Sequence, residues 1–427
     1  MRRWHRRIPL LVAALALVAA PALAAPVAPA AAAEPASAAR ANPVITWDLN
    51  AQTAIWDIAR QQPNVQARAF AMVHGAAYDA VNAIAGTPYQ PYLGAPRADG
   101  TESVDAAVGA ASHLVLAALF PDQSDRLRAQ YDEFLAGIPD GRAKRRGIAL
   151  GERTAAAMVA DRRDDGAFGD QTWVVGTRPG EWRPTPPTFG SDSAWSGHVR
   201  PFLVGDVSRF PTPGPPALTS AAYARDVGEV TLVGRATSTV RTADQTEAAI
   251  WWHDRNNVMW QVKRQLATTQ RLSVLRTARL FAMIDLIGAD AAIACFAQKE
   301  KWSFWRPVTA IQLADTDGNP LTVADPTWMP LLVTPPFPEY PSGHACGTAA
   351  RMTTYTLFFG RDRVPFSAYS VDADATRHFT SFSGALAELE DARVWGGVHF
   401  RTADTHGAAL GAAVARYAAA RHFQPRH

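Results

Sequence analysis

The sequence predicts an all-α protein. Apolar residues recur at helical spacing along most of the chain, strand-like alternation is scarce, and 48% of the 427 residues are hydrophobic against 19% charged. A chain of this length has ample material for a large core or two helical halves. Its 29 glycines and 31 prolines lie near average usage without a period, which rules out collagen-like and low-complexity fibres. No repeat of fixed length is apparent. The formal charge of +3 comes from the N-terminus, where four of the 42 basic residues are Arg2, Arg3, Arg6 and Arg7. Without residues 1–24, 38 basic residues face 39 acidic ones. A near-neutral chain has no general electrostatic attraction to nucleic acid.

Taken in order, MRRWHRR, the apolar stretch Leu10–Ala20 and Ala22-Leu23-Ala24 read as a signal peptide over 1–24. The apolar run is too short to span a bilayer, and both the general and the twin-arginine export routes stay open. The Ala/Pro-rich stretch 25–41 reads as a flexible leader. An N-terminal helical half over 42–216 follows, with helices predicted at Ala51–Gln61, Val65–Ile84, Glu102–Phe120, Asp122–Leu135 and Ala143–Arg162. Ser103 suits the third as a cap, and Pro121 with Asp122 starts the fourth.

Between Asp164 and Pro216 the pattern fails, through GTRPGEWRPTPPTFG and SRFPTPGPP. So long an irregular segment is expected only where it serves function or joins two bundles. The C-terminal half, 217–427, carries predicted helices at Ala221–Val233, Ala243–Ala267, Val274–Lys301, Gly343–Phe359, Asp372–Glu390 and Thr405–Arg421. Thr242 suits the second of these as a cap. No apolar segment after the first approaches transmembrane length in this reading. Cys295 and Cys346 are too few for a disulfide scaffold or a cysteine-rich zinc site. One bridge between them is allowed, and buried thiols are the plainer expectation.

The chemistry concentrates in the last third. In FAQKEKWSFWRP, Lys299 and Arg306 are seven apart, two turns along one helix face, and Pro307 biases Arg306 out of helical geometry. Two snorkelling cations over Trp302, Phe304 and Trp305 would look the same. In TPPFPEYPSGHACGTAA, Ser342 is a natural N-cap and a helix starts at Gly343, offering backbone N–H groups and a dipole to an anion. His344 sits in that first turn, where it can donate a proton or simply face solvent. In ELEDARVWGGVHFRTAD, Arg393 and His399 are six apart, and Gly396-Gly397 breaks the helix so that a turn brings both to one point. A surface ion-pair network and a structural histidine are the alternatives. Elsewhere, His74 and Asp79 read as structural polar contacts and His253 as a helix-surface residue. The 13 tryptophans need no role beyond packing.

Together these segments supply what a tetrahedral oxyanion requires: cations for its charge, hydroxyl and N–H donors for its oxygens, and an imidazole for its central atom. Lys299…Arg306-Pro307, Pro341-Ser342-Gly343-His344 and Arg393…His399 resemble, in order and spacing, the three-part signature of vanadium-dependent haloperoxidases and type-2 phosphatidic-acid-phosphatase-like acid phosphatases. FWRPVTAI and PPFPEYPSGHA look like the haloperoxidase branch, and RTADQTEAAIWW and GEWRPTPP look like its bacterial exported members.

That resemblance implies two four-helix-bundle halves, with the site in the C-terminal one and vanadate as cofactor. It makes His399 the ligand to vanadium, with Lys299, Arg306, Ser342, Gly343 and Arg393 holding the oxygens. His344 becomes the acid/base, and Lys299 polarises peroxide for attack by halide, releasing hypohalous acid to small organic acceptors. Phe337, seven residues before His344, becomes a substrate-pocket residue that bears on halide choice. A metal-free acid phosphatase is the alternative, with His399 as nucleophile and His344 protonating the leaving alcohol; a third possibility is an oxyanion binder without turnover. Two departures stand out: Ala392 replaces a common Ser, and Asp404 falls five residues after His399 where the family's acid is more usually four. The partner that orients His399 therefore stays open.

Overall fold

A computed structural model describes residues 41–426. The segments read as a signal peptide and, but for Ala41, as a flexible leader lie outside those residues. Thirteen α-helices and one β-hairpin make up the regular structure of the described part. The first half carries α1 (Pro43–Gln52), α2 (Pro63–Ile84), α3 (Val104–Leu119), α4 (Ser124–Ala136) and α5 (Arg142–Asp161). The second carries α6 (Ala221–Val233), α7 (Ala243–His253), α8 (Arg255–Thr269), α9 (Val274–Trp302), α10 (Pro307–Gln312), α11 (Gly343–Phe359), α12 (Phe382–Trp395) and α13 (Arg401–Ala419). Strands β1 (Phe366–Ser370) and β2 (Ala375–Phe379) pair antiparallel.

Local chemistry starts and stops these helices. Ser103 and Thr242 cap α3 and α7 as expected, Thr242 in a reciprocal capping box with Gln245. The helix predicted at Ala51–Gln61 begins earlier, at Pro43, where Asn42 accepts the Val44 N–H at 3.1 Å and proline occupies the first turn; it then loosens into a π-helical turn over Thr53–Ile58. The helix predicted over Ala243–Ala267 breaks at Asp254. The helix predicted over Asp372–Glu390 starts only at Phe382, because Ala375–Phe379 is a strand. Its partner strand is held from α8, where Gln261 exchanges hydrogen bonds with the Tyr369 backbone and Gln265 accepts the Ser367 N–H.

Helix α9 runs through the middle of the molecule, packed against α2 on one side and against α11 and α13 on another. It corrects the expectation about apolar length: at 29 residues it is long and apolar enough to cross a membrane, but 89% of its most apolar stretch is buried within the protein. One large hydrophobic core joins residues of both halves, from Trp47 and Phe70 to Phe281, Tyr355 and Phe382. Six tryptophans, including Trp182, Trp305 and Trp328, are fully buried. Cys295 and Cys346 are buried thiols without a disulfide.

Two close approaches fix the position of the α11 N-terminus. A Cβ at Gly407 of α13 would lie 2.5 Å from the Ser342 carbonyl oxygen, and one at Gly411 would lie 2.0 Å from that of Cys346. Only glycine lets the two backbones meet there. The long irregular segment braces the neighbouring turn, as Trp182 N–H donates to the Ser303 carbonyl at 2.8 Å and Trp305 N–H to that of Gly180 at 3.0 Å.

Candidate oxyanion-binding site

Four pieces of chain converge. Helix α9 ends at Trp302, with Ser303 in a left-handed conformation (φ 38°), so the chain leaves the helix one turn after Lys299. Arg306 is then extended (ψ 156°) as the cap of α10, with Pro307 in the first helical position. Ser342 caps α11, its hydroxyl oxygen accepting the Ala345 N–H at 3.3 Å. Helix α12 ends at Trp395, and Gly397 (φ 74°) turns the chain back toward the site. Lys299, Arg306, Ser342, Arg393 and His399 are all buried, while Gly343 and His344 are half-buried at the rim.

His399 is held from both sides. Its Nδ1 lies 2.9 Å from Glu339 Oε1, which also accepts the Phe400 N–H at 2.9 Å. Its Nε2 lies 3.3 Å from Arg306 Nη1, a group that can only donate. Both contacts fix one tautomer, with the proton on Nδ1 and the lone pair on Nε2. Burial, then Arg306, Lys299 and Arg393, hold the imidazole well below its ordinary pKa, so it is neutral. The partner left open by the sequence is thus Glu339 and not Asp404. Asp404 faces Ser342 and Arg393 instead, with burial pushing its carboxyl well above the usual range. Burial likewise pushes Glu339 up to about 8, against the pull of the Phe400 N–H, Arg306 and Lys299.

The three cations differ in what they already hold. Lys299 donates to the carbonyls of Pro338, Glu339 and Pro341 at 2.8, 2.9 and 2.6 Å, so all three of its N–H groups grip the proline-rich loop. Burial lowers its pKa to about 8, and Arg306 adds to the shift. Arg306 donates to the carbonyls of Phe337 and Val398 at 2.9 Å each and leaves Nη2 without a partner. Arg393 is buried with none of its three guanidinium nitrogens hydrogen-bonded. A buried guanidinium without acceptors is costly unless an anion supplies them. Four orphaned donor nitrogens, a helix N-terminus and a neutral imidazole therefore fit a tetrahedral oxyanion. Phe337 lids this cradle, its ring 5.3 Å from Lys299 Nζ and 5.1 Å from Arg306 Cζ.

Residues 279–426 match the family described as the VCPO second helical-bundle domain. The match takes in Lys299, Arg306, Ser342, Arg393 and His399 and leaves the first 278 residues outside it. The vanadium chloroperoxidase of Curvularia inaequalis is 34% identical over a 137-residue alignment, covering 25% of this chain and 22% of the relative. The alignment thus spans about a fifth of that relative's length. Two solved structures share the fold over most of the chain. The first bacterial vanadium-dependent iodoperoxidase has a TM-score of 0.74 at 24% identity, covering 90% of this chain and 97% of that one. A holo-type bacterial vanadium-dependent chloroperoxidase has a TM-score of 0.68 at 18% identity, covering 84% and 93%. The all-α bundle fold expected of the haloperoxidase family is therefore the fold observed.

Within the matched segment, sequence reasoning missed Glu339. The available signal was one acid between prolines in an otherwise apolar loop, PPFPEYP. His253 is exposed at the end of α7, as read, and its ring lies parallel to that of His344 with centroids 6.5 Å apart. His74 and Asp79 are structural, as read. Asp79 accepts three backbone N–H groups, from Tyr92, Leu93 and Gly94. His74 joins Asp48 and Asp285 in a group whose ligand atoms could hold a metal ion. Lys263 already fills that group, 2.6 Å from Asp48 and 2.7 Å from Asp285, and none of its members belongs to the oxyanion cradle.

Proposed function

We propose that this protein is an exported vanadate-dependent haloperoxidase that oxidises halide with hydrogen peroxide for transfer to small organic acceptors. The observation that carries the reading is the buried guanidinium of Arg393, none of whose nitrogens is hydrogen-bonded, in one site with a neutral His399 whose Nε2 lone pair faces Arg306. In this reading His399 ligates vanadium, and Arg306, Arg393, Ser342 and Gly343 hold the oxygens. When bound, vanadate supplies the Lewis-acidic centre at which peroxide is activated.

The chain's own residues do the rest. Arg306 and Arg393 offset the charge of the bound oxyanion. Glu339 keeps the proton of His399 on Nδ1 and its Nε2 available. Lys299 adds positive charge from behind the loop while its N–H groups fix the loop's shape. His344, half-buried at the rim, holds or releases a proton between cradle and solvent. Phe337 excludes water from the cation side. The signal-peptide pattern supports export. The structural relatives, an iodoperoxidase and a chloroperoxidase, support halide oxidation as a class.

The test is reconstitution of the purified protein with orthovanadate, followed by halogenation of an activated acceptor with peroxide and chloride, bromide or iodide. Turnover with at least one halide is expected, and none with any of the three sinks the proposal. The same cradle suits phosphate, with His399 as nucleophile and His344 as the acid. Vanadate-inhibited hydrolysis of an aryl phosphate without halogenation would therefore replace this reading with the phosphatase one.

A further inference from the structure

Beside the cradle a cavity of about 60 Å³ opens between α9, α11 and the start of α2. One wall is apolar and small, with Gly288 and Ala292 of α9 and the rings of Phe296 and Phe337, whose centroids lie 5.1 Å apart, while Gln62, Asn64 and Ser193 line the rest. His344 stands at one end, and Arg351, seven residues further along α11 on the same face, lines the other. Arg351 is 5% exposed and spends one nitrogen on the Gly347 carbonyl at 3.2 Å. The guanidinium lies over Gly288, where a Cβ would be 3.7 Å from its Cζ and 3.8 and 4.0 Å from Nη2 and Nε.

Among the described residues that line the cavity Arg351 carries the one full charge, with the Asp285 carboxylate behind it close enough to act on it. No Asp or Glu lines it. The first turn of the 22-residue α2 also opens onto it, with no side-chain cap and no acidic residue. A second, smaller cavity walled by Trp195, Phe202 and Ile293 shares Asn64, Ala67 and Ala292 with it, extending the apolar surface. Cation at one end, an apolar wall between and aromatic rings at the cradle side match an amphiphilic anion better than a bare inorganic one.

We propose that this cavity is a subsite for a small organic monoanion, an aryl or unsaturated carboxylate, whose head group Arg351 holds and whose apolar body lies against Phe296 and Phe337. Its role as the acceptor site rests on the haloperoxidase reading, since the oxidised halide would be delivered next to His344. Binding itself does not depend on that reading.

The experiment is calorimetric titration of benzoate and its neutral isostere benzamide into vanadate-free protein, with saturating phosphate present to fill the cradle. Benzoate is expected to bind roughly tenfold or more tightly than benzamide, as a charge-assisted pair requires, and Arg351→Gln should erase that difference while Arg351→Lys keeps part of it. Ala292→Phe, which fills the shared wall and leaves the guanidinium in place, should block benzoate; this arm stands even if Arg351→Gln fails to fold. Equal benzoate affinity in folded Arg351→Gln, displacement of benzoate by phosphate, or undiminished binding to Ala292→Phe would overturn the proposal. In the reconstituted enzyme, Arg351→Gln should raise KM for 4-hydroxybenzoate and not for phenol. Arg351-dependent benzoate binding by a protein that halogenates nothing would remove the haloperoxidase reading and leave the subsite standing.

Discussion

At the scale of single residues, the cradle separates groups whose bonding is complete from groups that wait for a ligand. Lys299 and Arg393 are both buried cations of the same motif, yet Lys299 satisfies three backbone carbonyls and Arg393 none. Replacing Lys299 with Met should therefore destabilise the protein by about 3–5 kcal/mol, because it leaves buried carbonyls unpaired as well as removing a charge. Arg393→Met removes a buried charge that makes no hydrogen bond and has the Asp404 carboxyl as its neighbour, so it should cost the ligand-free protein less stability than Lys299→Met, while abolishing the rise in Tm that phosphate or vanadate produces in the wild type. Thermal melts with and without phosphate separate the two; a strong loss of ligand-free stability in Arg393→Met would show that the guanidinium has an acceptor within the protein. Glu339→Gln should lower oxyanion affinity by about 10–100-fold with little change in Tm, since an amide can present its NH₂ to His399 and upset the tautomer that leaves Nε2 open. Unchanged affinity for orthovanadate in that variant would mean that Arg306 alone orients the ring. The cradle cations and both histidines are marked in the sequence by their resemblance to a three-part motif, since spacing alone leaves a bland reading open for each. Glu339 is not marked, because its link to His399 crosses 60 residues and depends on how the proline-rich loop folds back.

At the scale of elements, helix periodicity and caps gave α2, α3, α5, α6, α9 and α11 almost to their ends, since each carries its own start signal and a continuous apolar face. The sequence reading failed where a distant partner decides the conformation. Residues 372–379 look helical in isolation, but pairing with β1 and the two glutamines of α8 make the second half of that stretch a strand. The small residues of α13 also gave no advance sign of their purpose. Gly407 and Gly411, four apart on one face, let α13 touch the backbone of α11 and so set where Ser342 and Gly343 present their donors. Gly411→Ala places a Cβ 2.0 Å from a carbonyl oxygen that cannot move without its helix. It should cost about 1–3 kcal/mol and weaken oxyanion binding together with stability. Gly228→Ala in α6 is the control, because a Cβ there meets nothing within 4 Å, and it should raise stability by about 0.4–1 kcal/mol. Denaturant melts and phosphate titrations on both variants check this, and a tolerated Gly411→Ala with full oxyanion affinity would deny the close approach its positioning role.

At the scale of the whole molecule, a buried ion cluster ties the first helices to the pair that precedes and forms the cradle's back wall. Asp48 of α1 and His74 of α2 meet Lys263 and Arg264 of α8 and Asp285 of α9, with Lys263 between the two carboxylates and Arg264 2.6 Å from Asp48. None of this could be assembled from sequence, because the five residues are scattered over more than 200 positions and each alone looks like an ordinary polar residue on an apolar helix. Burial pushes the Asp285 carboxyl up, but Lys263 and His74 more than offset it and hold it well below the usual carboxylate range. A carboxylate whose folded pKa is depressed contributes stability that is complete above its unfolded value, about 3.9, and is lost as pH falls below it. Asp285→Asn should therefore flatten the acid limb of the stability profile between about pH 4 and 2, where the wild type loses stability steeply. Lys263→Met should do more damage near neutral pH, about 3–5 kcal/mol, since two carboxylates are then buried together without the cation between them. Because the cluster lies outside the cradle, neither change should alter oxyanion affinity per folded molecule. Urea melts across pH, paired with phosphate titration at neutral pH, read both quantities; a Lys263→Met protein of wild-type stability, or one that folds fully but no longer binds phosphate, would contradict the separation of the structural cluster from the site.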